Sequence, residues 1–223
     1  MKRPRSDARS DKGPVRVLLF AASLGGNSLN KRLAALAGVV LERHGARVDR
    51  AAMAEFDGPS YSQDVETRDG FPPGSQELHR RLQACDAFVI ASPEYNASMP
   101  GHLKNAIDWV SRIRPQPLNA KHGLLLSASP SMAGGNRGLW SLRIPLEHLG
   151  ARVYPDMFSL AQAHKAFTET GELADRPLAE RFEQSLRAFV DLVEAATHYP
   201  CMKKAWIEFL GEPGETVGRV DAA

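Results

Sequence analysis

Apolar residues recur along this chain in two rhythms. Short, nearly continuous apolar runs occur at Val15–Ala21 ("VRVLLFA"), Asp86–Ala91 ("DAFVIA") and from His122 onward ("HGLLLSAS"), each bounded by turn residues. That is the pattern of a strand covered on both faces. Between them the spacing becomes helical: Leu29, Leu33, Leu36, Val40 and Leu41, then Leu103, Ile107 and Val110, then Phe182, Leu186, Phe189, Val190 and Val193. The first helix is expected to end near Arg43, with Gly45 as its stop. "ARVDRAAM" alternates weakly and predicts a second strand, residues 54–73 predict a long loop, and Ser75–Ala84 a short helix. The spacing predicts further helices over Met99–Arg112, Leu139–Leu149 with Pro145 as a kink, and Leu178–Ala196. "ARVYPDMFSL" reads as a fifth strand, interrupted.

Alternation of five short apolar strands with helices predicts an α/β three-layer sandwich around a parallel sheet. Of the common doubly wound arrangements, the strand count and the 223-residue length favour a flavodoxin-like sheet of order 2-1-3-4-5. In that order the exits of strands 1, 3 and 4 lie side by side. The organisation read from the chain is a basic tail over residues 1–14, a flavodoxin-like domain over 15–197 and a partly flexible extension over 198–223.

Composition changes this picture little. Hydrophobic residues are 43% and charged residues 24%, ordinary for a globular chain. Charge is uneven: residues 1–16 hold six basic against two acidic side chains, so the net +2 leaves −2 for the remainder. A short basic tail without interleaved aromatics is expected to be a solvated extension and not a nucleic-acid arm. Cys85 and Cys201 form no CxxC and no metal spacing. No apolar run reaches the roughly 20 residues of a membrane span. The cytoplasm is the expected compartment, with no membrane and no nucleic acid among the partners.

The candidate chemistry lies in the three exit loops. The first, Ala22-Ser23-Leu24-Gly25-Gly26-Asn27-Ser28-Leu29-Asn30, places hydroxyls, amides and two glycines ahead of a helix. It suits an anion, or equally an N-capping turn with Ser28 or Asn27 as cap. It is neither GxxxxGK[ST] nor GxGxxG, which argues against a nucleoside triphosphatase or a Rossmann site. The second, Pro93-Glu94-Tyr95-Asn96, suits a flat heterocycle: proline fixes the backbone and removes a donor so that neighbouring N–H groups can be aimed outward, Tyr95 can lie against a ring and Asn96 can bond a ring edge. Its alternative is a polar turn capped by Ser98. The third, Ser129 to Asn136, contains Gly134-Gly135, which lets backbone approach a ligand; alone, it reads as an ordinary connection. Together, an anion grip and two planar frames fit FMN better than a plain phosphate ester.

These loops resemble the NADPH-dependent FMN reductase family, the flavodoxin-like quinone, azo-compound and chromate reductases. Ser23, Ser28, Asn30 and Leu33 match its G-S-x-R-x-x-S-x-N-x-x-L stretch, with Ala22 in place of glycine and Gly25 in place of arginine. Its P-E-Y-N stands intact as Pro93–Asn96, followed by Lys104-Asn105-Ala106-Ile107-Asp108-Trp109. The resemblance runs over about residues 15–196. It implies non-covalent FMN, NADPH or NADH as donor, a small-molecule electron acceptor and a homodimer or homotetramer. It implies that Ser23, Ser28 and Asn30, with Leu29 beside them, hold the phosphate. Pro93, Glu94, Tyr95 and Asn96, with Ser129, Gly134 and Gly135, would frame the isoalloxazine. The reaction implied is ping-pong hydride transfer to quinones, azo compounds, free flavin or metal oxyanions, with no side chain as obligatory catalytic acid or base. Gly25 implies a softened preference between NADPH and NADH.

Other residues read as structural. His79, His102, His122, His148, His164 and His198 have no metal-binding spacing, Cys85 reads as a packed side chain, Ser23 lacks a GxSxG elbow, and Trp109 and Trp140 read as packing or interface residues. Two alternatives stand beside the enzyme. One is a flavodoxin-like electron carrier, against which the near-neutral core argues. The other is a flavin-less interaction protein, for which Gly25 is the clue.

Overall fold

The computed structural model describes residues 13–198 of the chain. The basic tail up to Lys12 and the extension beyond His198, expected from the sequence, lie outside the described residues.

Strand β1 (Arg16–Ala21) is apolar from Val17 onward, where both of its faces are covered. Val17, Leu19 and Ala21 point to one core, Leu18 and Phe20 to the other. The same alternation governs β3 (Ala87–Ala91) and β4 (His122–Ala128), whose residues are buried from end to end. β2 (Arg47–Ala52) is the outer strand beside β1 and exposes most of its side chains, which explains its weak apolar signal. All pairings are parallel, in the order β2-β1-β3-β4-β5. The fifth position is split. β5 (Arg152–Val153) pairs with the start of β4 and β6 (Phe158–Leu160) with its end, and Pro155 lies in the gap. Proline has no N–H to give to a ladder, so the interruption follows from the sequence.

One layer holds α1 (Leu29–Arg43) and α7 (Arg176–His198); the other holds α3 (Pro73–Ala84), α4 (Gly101–Arg112) and α5 (Asn136–His148). α1 ends as expected at Gly45, where φ is +84°. The Gly45 N–H donates to Glu42 O and the Ala46 N–H to Leu41 O, which satisfies the last carbonyls of the helix.

Residues 54–73 are not one loop. They contain the end of a 3-10 turn (Met53–Phe56) and α2 (Gln63–Asp69). α2 buries no residue, so no apolar period could announce it. It is held by polar contacts instead: the Tyr61 hydroxyl and the Arg112 guanidinium both donate to Glu66. A further short helix, α6 (Ala163–Ala166), follows β6.

Candidate functional site

The exits of β1, β3 and β4 enclose a cleft of about 400 Å³. Ser23, Ser28, Leu29, Asn30, Pro93, Glu94, Tyr95 and Ser129 line it. Asn96, Gly134 and Gly135, expected there too, are not among its walls.

In the first loop Ser28 is the N-cap of α1: its Oγ accepts from the N–H groups of Asn30 and Lys31 at 3.2 and 3.4 Å. The N–H groups of Gly25, Gly26 and Asn27 donate to no atom of the described residues. Free donors at the head of a 15-residue helix make a place for an anion, so capping and anion reception coexist here. The two basic side chains next to the loop are both engaged. Lys31 Nζ donates to Leu24 O at 3.3 Å, and Arg32 lies 4.5 Å from the Phe167 ring centroid.

Asn30 behaves differently from the expectation. It is buried, and its amide is committed to one residue of the neighbouring strand. Nδ2 donates to Ala128 O and Oδ1 accepts from Ala128 N, both at 2.9 Å. The side chain therefore ties the first loop to the β4 exit and leaves the cleft to the backbone and hydroxyl donors.

The second loop is rigid. Tyr95 and Ser98 exchange both backbone hydrogen bonds, at 2.9 and 3.0 Å, around Asn96 (φ +51°) and Ala97 (φ +61°). This is a two-residue hairpin turn with both central residues left-handed, which suits asparagine and strains alanine. The turn holds the Tyr95 ring half-exposed, edge-on to His102 at 6.4 Å. Ser98 closes this turn and does not cap α4, whose N-cap is Pro100. The loop is secured instead by Ser141 of α5, whose Oγ accepts from the Met99 N–H at 2.8 Å. Glu94 turns away from the cleft edge toward α5. Its carboxylate pairs with Arg137 at 2.6 Å and accepts from the Gly138 N–H at 3.1 Å. Burial pushes that carboxyl up, but the bonds from Arg137 and Gly138 outweigh burial and hold it below the usual range.

In the third loop Ser129 Oγ accepts from the Ser131 N–H and donates to the Ser131 hydroxyl. Gly134 and Gly135 have φ of +62° and +86°. The close approach they permit is to the protein itself, not to a ligand. A Cβ on Gly135 would lie 2.0 Å from Ser127 Oγ, and one on Gly134 would lie 2.9 Å from Ala161 N. Ser127 Oγ is buried without a hydrogen-bond partner.

The Lys104–Trp109 block stands behind the cleft. Asn105 Nδ2 donates to Gly58 O and Pro59 O, Asn105 Oδ1 accepts from Tyr61 N, and Trp109 Nε1 donates to Pro59 O at 2.7 Å. The block thus pins residues 58–61 onto α4. His102 reaches the β1 exit with its Nε2 3.2 Å from Ala22 O. Sequence reasoning missed Arg137, Ser141 and His102 as supports of the loops, because their partners lie 43, 42 and 80 positions away and leave no local signal. Burial pushes the Cys85 thiol up to about 11, in keeping with a packed side chain. Among the described residues no three His, Cys, Asp or Glu side chains gather as metal ligands, and no helix is long and apolar enough to cross a membrane.

What the cleft offers fits FMN. Hydroxyls and N–H groups without partners among the described residues share its walls with a half-exposed phenol. Comparison with known proteins bears on the same loops. The sequence model of the family described as NADPH-dependent FMN reductase matches residues 15–165. The quinone reductase of Escherichia coli is 37% identical over 140 residues, 62% of this chain and 74% of that protein. The NAD(P)H-dependent FMN reductase PA1204 of Pseudomonas aeruginosa is 38% identical over 139 residues, 61% of this chain and 74% of that protein. Among solved structures, the flavoenzyme NAD(P)H:(acceptor) oxidoreductase FerB of Paracoccus denitrificans superimposes with a TM-score of 0.70 at 28% identity, covering 81% of this chain and 97% of that one.

Proposed function

The chain belongs to the NADPH-dependent FMN reductase family, and we propose that the cleft at the exits of β1, β3 and β4 is where it carries out NAD(P)H-dependent reduction of quinones. FMN, when bound, supplies the two-electron redox chemistry. The residues around it bind, orient and exclude.

The N–H groups of Gly25, Gly26 and Asn27 and the hydroxyls of Ser23 and Ser28 hold the phosphate against the positive end of α1. Leu29 closes the floor. Asn30 acts through Ala128, keeping the first and third loops in register. Pro93 and Tyr95 line one side of the ring; Glu94 and Asn96 shape the turn that presents them. Ser129 faces the ring from the third loop, with Gly134 and Gly135 shaping its backbone. A cleft with a single open side would admit donor and acceptor in turn, so initial-rate lines should be parallel when both are varied. No side chain is required as an acid or base, and the protein's contribution is orientation. Azo compounds, free flavin and metal oxyanions are further acceptors in this reading. The same reading includes residues 15–197 as the flavin-binding unit, a cytoplasmic setting and a homodimer or homotetramer.

The observation that carries the proposal is that Gly25 and Asn27, whose N–H groups donate to no atom of the described residues, line the same cleft as the half-exposed Tyr95. The experiment is purification followed by FMN titration and anaerobic addition of NADPH or NADH. A yellow protein whose visible absorbance falls with either nucleotide is expected. A colourless chain that takes up no FMN would make it an interaction protein. A yellow chain unresponsive to both nucleotides would make it an electron carrier. Intersecting initial-rate lines would defeat the shared face.

A further inference from the structure

We propose that Leu24, Tyr95 and Met132 form an apolar rim at the mouth of the cleft that selects the electron acceptor, favouring planar acceptors with an alkyl substituent over small polar ones. The proposal deepens the flavin reading and rests on it for the cleft being the place where an acceptor is reduced.

Among the described residues, three large apolar side chains that stay exposed stand outside the helices, and each exit loop holds one. They are Leu24 in the first loop, 55% exposed, Tyr95 in the second, 50%, and Met132 in the third, 76%. The others, Val39, Trp140, Ile144 and Leu192, lie on α1, α5 and α7. The connections at the opposite end of the sheet present none. Single apolar residues strewn over a surface need no explanation, but apolar exposure gathered about a cleft marks a ligand-binding surface. Leu24 stands between Ser23 and Gly25, which line the cleft, Tyr95 lines it, and Met132 follows Pro130 of its wall by two positions.

The exposure is not that of slack chain. Lys31 Nζ donates to Leu24 O at 3.3 Å, and Tyr95 is fixed by its two backbone bonds with Ser98. Beside Met132, Ser131 O accepts from the N–H groups of Gly134 and Gln162 at 3.3 and 3.1 Å. A pinned backbone thus holds three apolar side chains out in water, which is unfavourable until something covers them. Tyr95 offers a flat face to a ring. Leu24 and Met132 offer aliphatic and thioether surface to whatever projects from that ring, and methionine adapts to varied shapes. The cations near the mouth are engaged: Lys31 on Leu24 O, Arg32 on Thr168 O and Arg137 on Glu94. A metal oxyanion therefore meets neither an apolar match nor an idle cation at the rim, whereas an alkyl-substituted quinone meets a ring face and an apolar surface together.

The test uses the full-length, FMN-loaded protein and two homologous series. Alkyl 4-hydroxybenzoates from methyl to pentyl are redox-inert, and calorimetric titration reads their Kd. The 2-alkyl-1,4-benzoquinones from methyl to pentyl are turned over with NADPH as donor, and kcat/KM is read for each. Full burial of a methylene is worth about fourfold, so a rim that covers one side of the alkyl chain should give roughly twofold per methylene in both series. Leu24→Ser and Met132→Ser, at positions too exposed to threaten the fold, should each flatten that slope, and the double variant should remove most of it. Met132→Leu, which keeps an apolar surface, should keep it. Val39→Ser, at an exposed apolar position on α1, should leave it unchanged. The readout is the slope and not the absolute rate, so a general loss of activity does not imitate the effect. A flat series in the wild type, or a slope that survives in the double variant, would overturn the rim. Either result leaves the flavin reading standing where nucleotide still bleaches the bound FMN, whereas a chain that takes up no FMN would sink both.

Discussion

Two Gly-Gly pairs stand in exit loops of the same sheet, and they do opposite things. Gly25 and Gly26 have nothing within 4 Å of where a Cβ would sit and no left-handed φ. Gly134 and Gly135 both have a left-handed φ, and a Cβ on either would strike the protein's own sheet. The first pair is free of internal duty and leaves its N–H groups to the cleft. The second is a joint, without which the third loop cannot fold down on β4. Similar letters in a sequence therefore conceal one position that can be changed cheaply and one that cannot.

The largest effect should separate the pairs directly. Gly135→Ala adds an overpacked contact, about 1–3 kcal/mol, to a left-handed backbone cost of about 1–2 kcal/mol. The melting temperature should fall by roughly 5–15 °C. Gly25→Ala should stay within about 0.5 kcal/mol of wild type. Equal effects in thermal unfolding would dissolve the contrast. Ser127→Ala in the Gly135→Ala background should restore only part of the contact cost, because the Cβ of residue 127 still stands 2.9 Å away, and none of the backbone cost.

Next comes Asn30→Leu. It strands the N–H and C=O of Ala128, two buried groups whose loss costs about 1–3 kcal/mol each. Urea denaturation of the FMN-free protein should register this destabilisation. A variant of wild-type stability that had merely lost FMN affinity would make Asn30 a ligand and not a brace.

Ser28→Ala should be milder. It removes a helix cap worth about 1 kcal/mol and the hydroxyl that we propose holds the phosphate, so FMN affinity should fall by about tenfold. Unchanged affinity on titrating the FMN-free protein would move the phosphate elsewhere.

The smallest effect sharpens the contrast from the permissive side. Gly25→Arg enters open space, so stability should hold, and an added charge near the phosphate should tighten FMN by a few fold at low salt. In the wild type, kcat/KM for NADPH over NADH should stay below roughly a hundredfold, about 2.7 kcal/mol. A larger ratio would mean that another cation has taken the role of the family's arginine.

The elements that position the cleft were legible because burial on two faces writes itself as unbroken apolar runs at β1, β3 and β4. The loop motifs were legible as residue types. Their use was not. Asn30 finds its partner 98 residues away, and Glu94 finds Arg137 43 residues away. Such bonds depend on which strands become neighbours, which no local pattern states. The same holds for Lys104–Trp109: its helical period was plain, but its Asn105 and Trp109 donors serve carbonyls of Gly58 and Pro59, in a stretch whose lack of apolar period made it read as loop. α2 was invisible for the same reason, being held by Glu66 and not by a core.

The bond between Asn30 and Ala128 has a consequence in time. The Ala128 amide gives its proton to a buried side chain across two layers of structure. It can exchange with solvent only when the first and third loops separate, which is an opening of the sheet's upper end and not a local flutter. On the wall of the same cleft, the amides of Gly25 and Asn27, with that of Gly26 between them, are bound to no atom of the described residues and should exchange at nearly the rate of an unstructured peptide. Amide exchange would therefore meet fast and slow clocks on adjoining walls of one cleft. Filling the cleft with FMN should slow the fast one directly, and slow the other by as much as FMN stabilises the closed loops against opening.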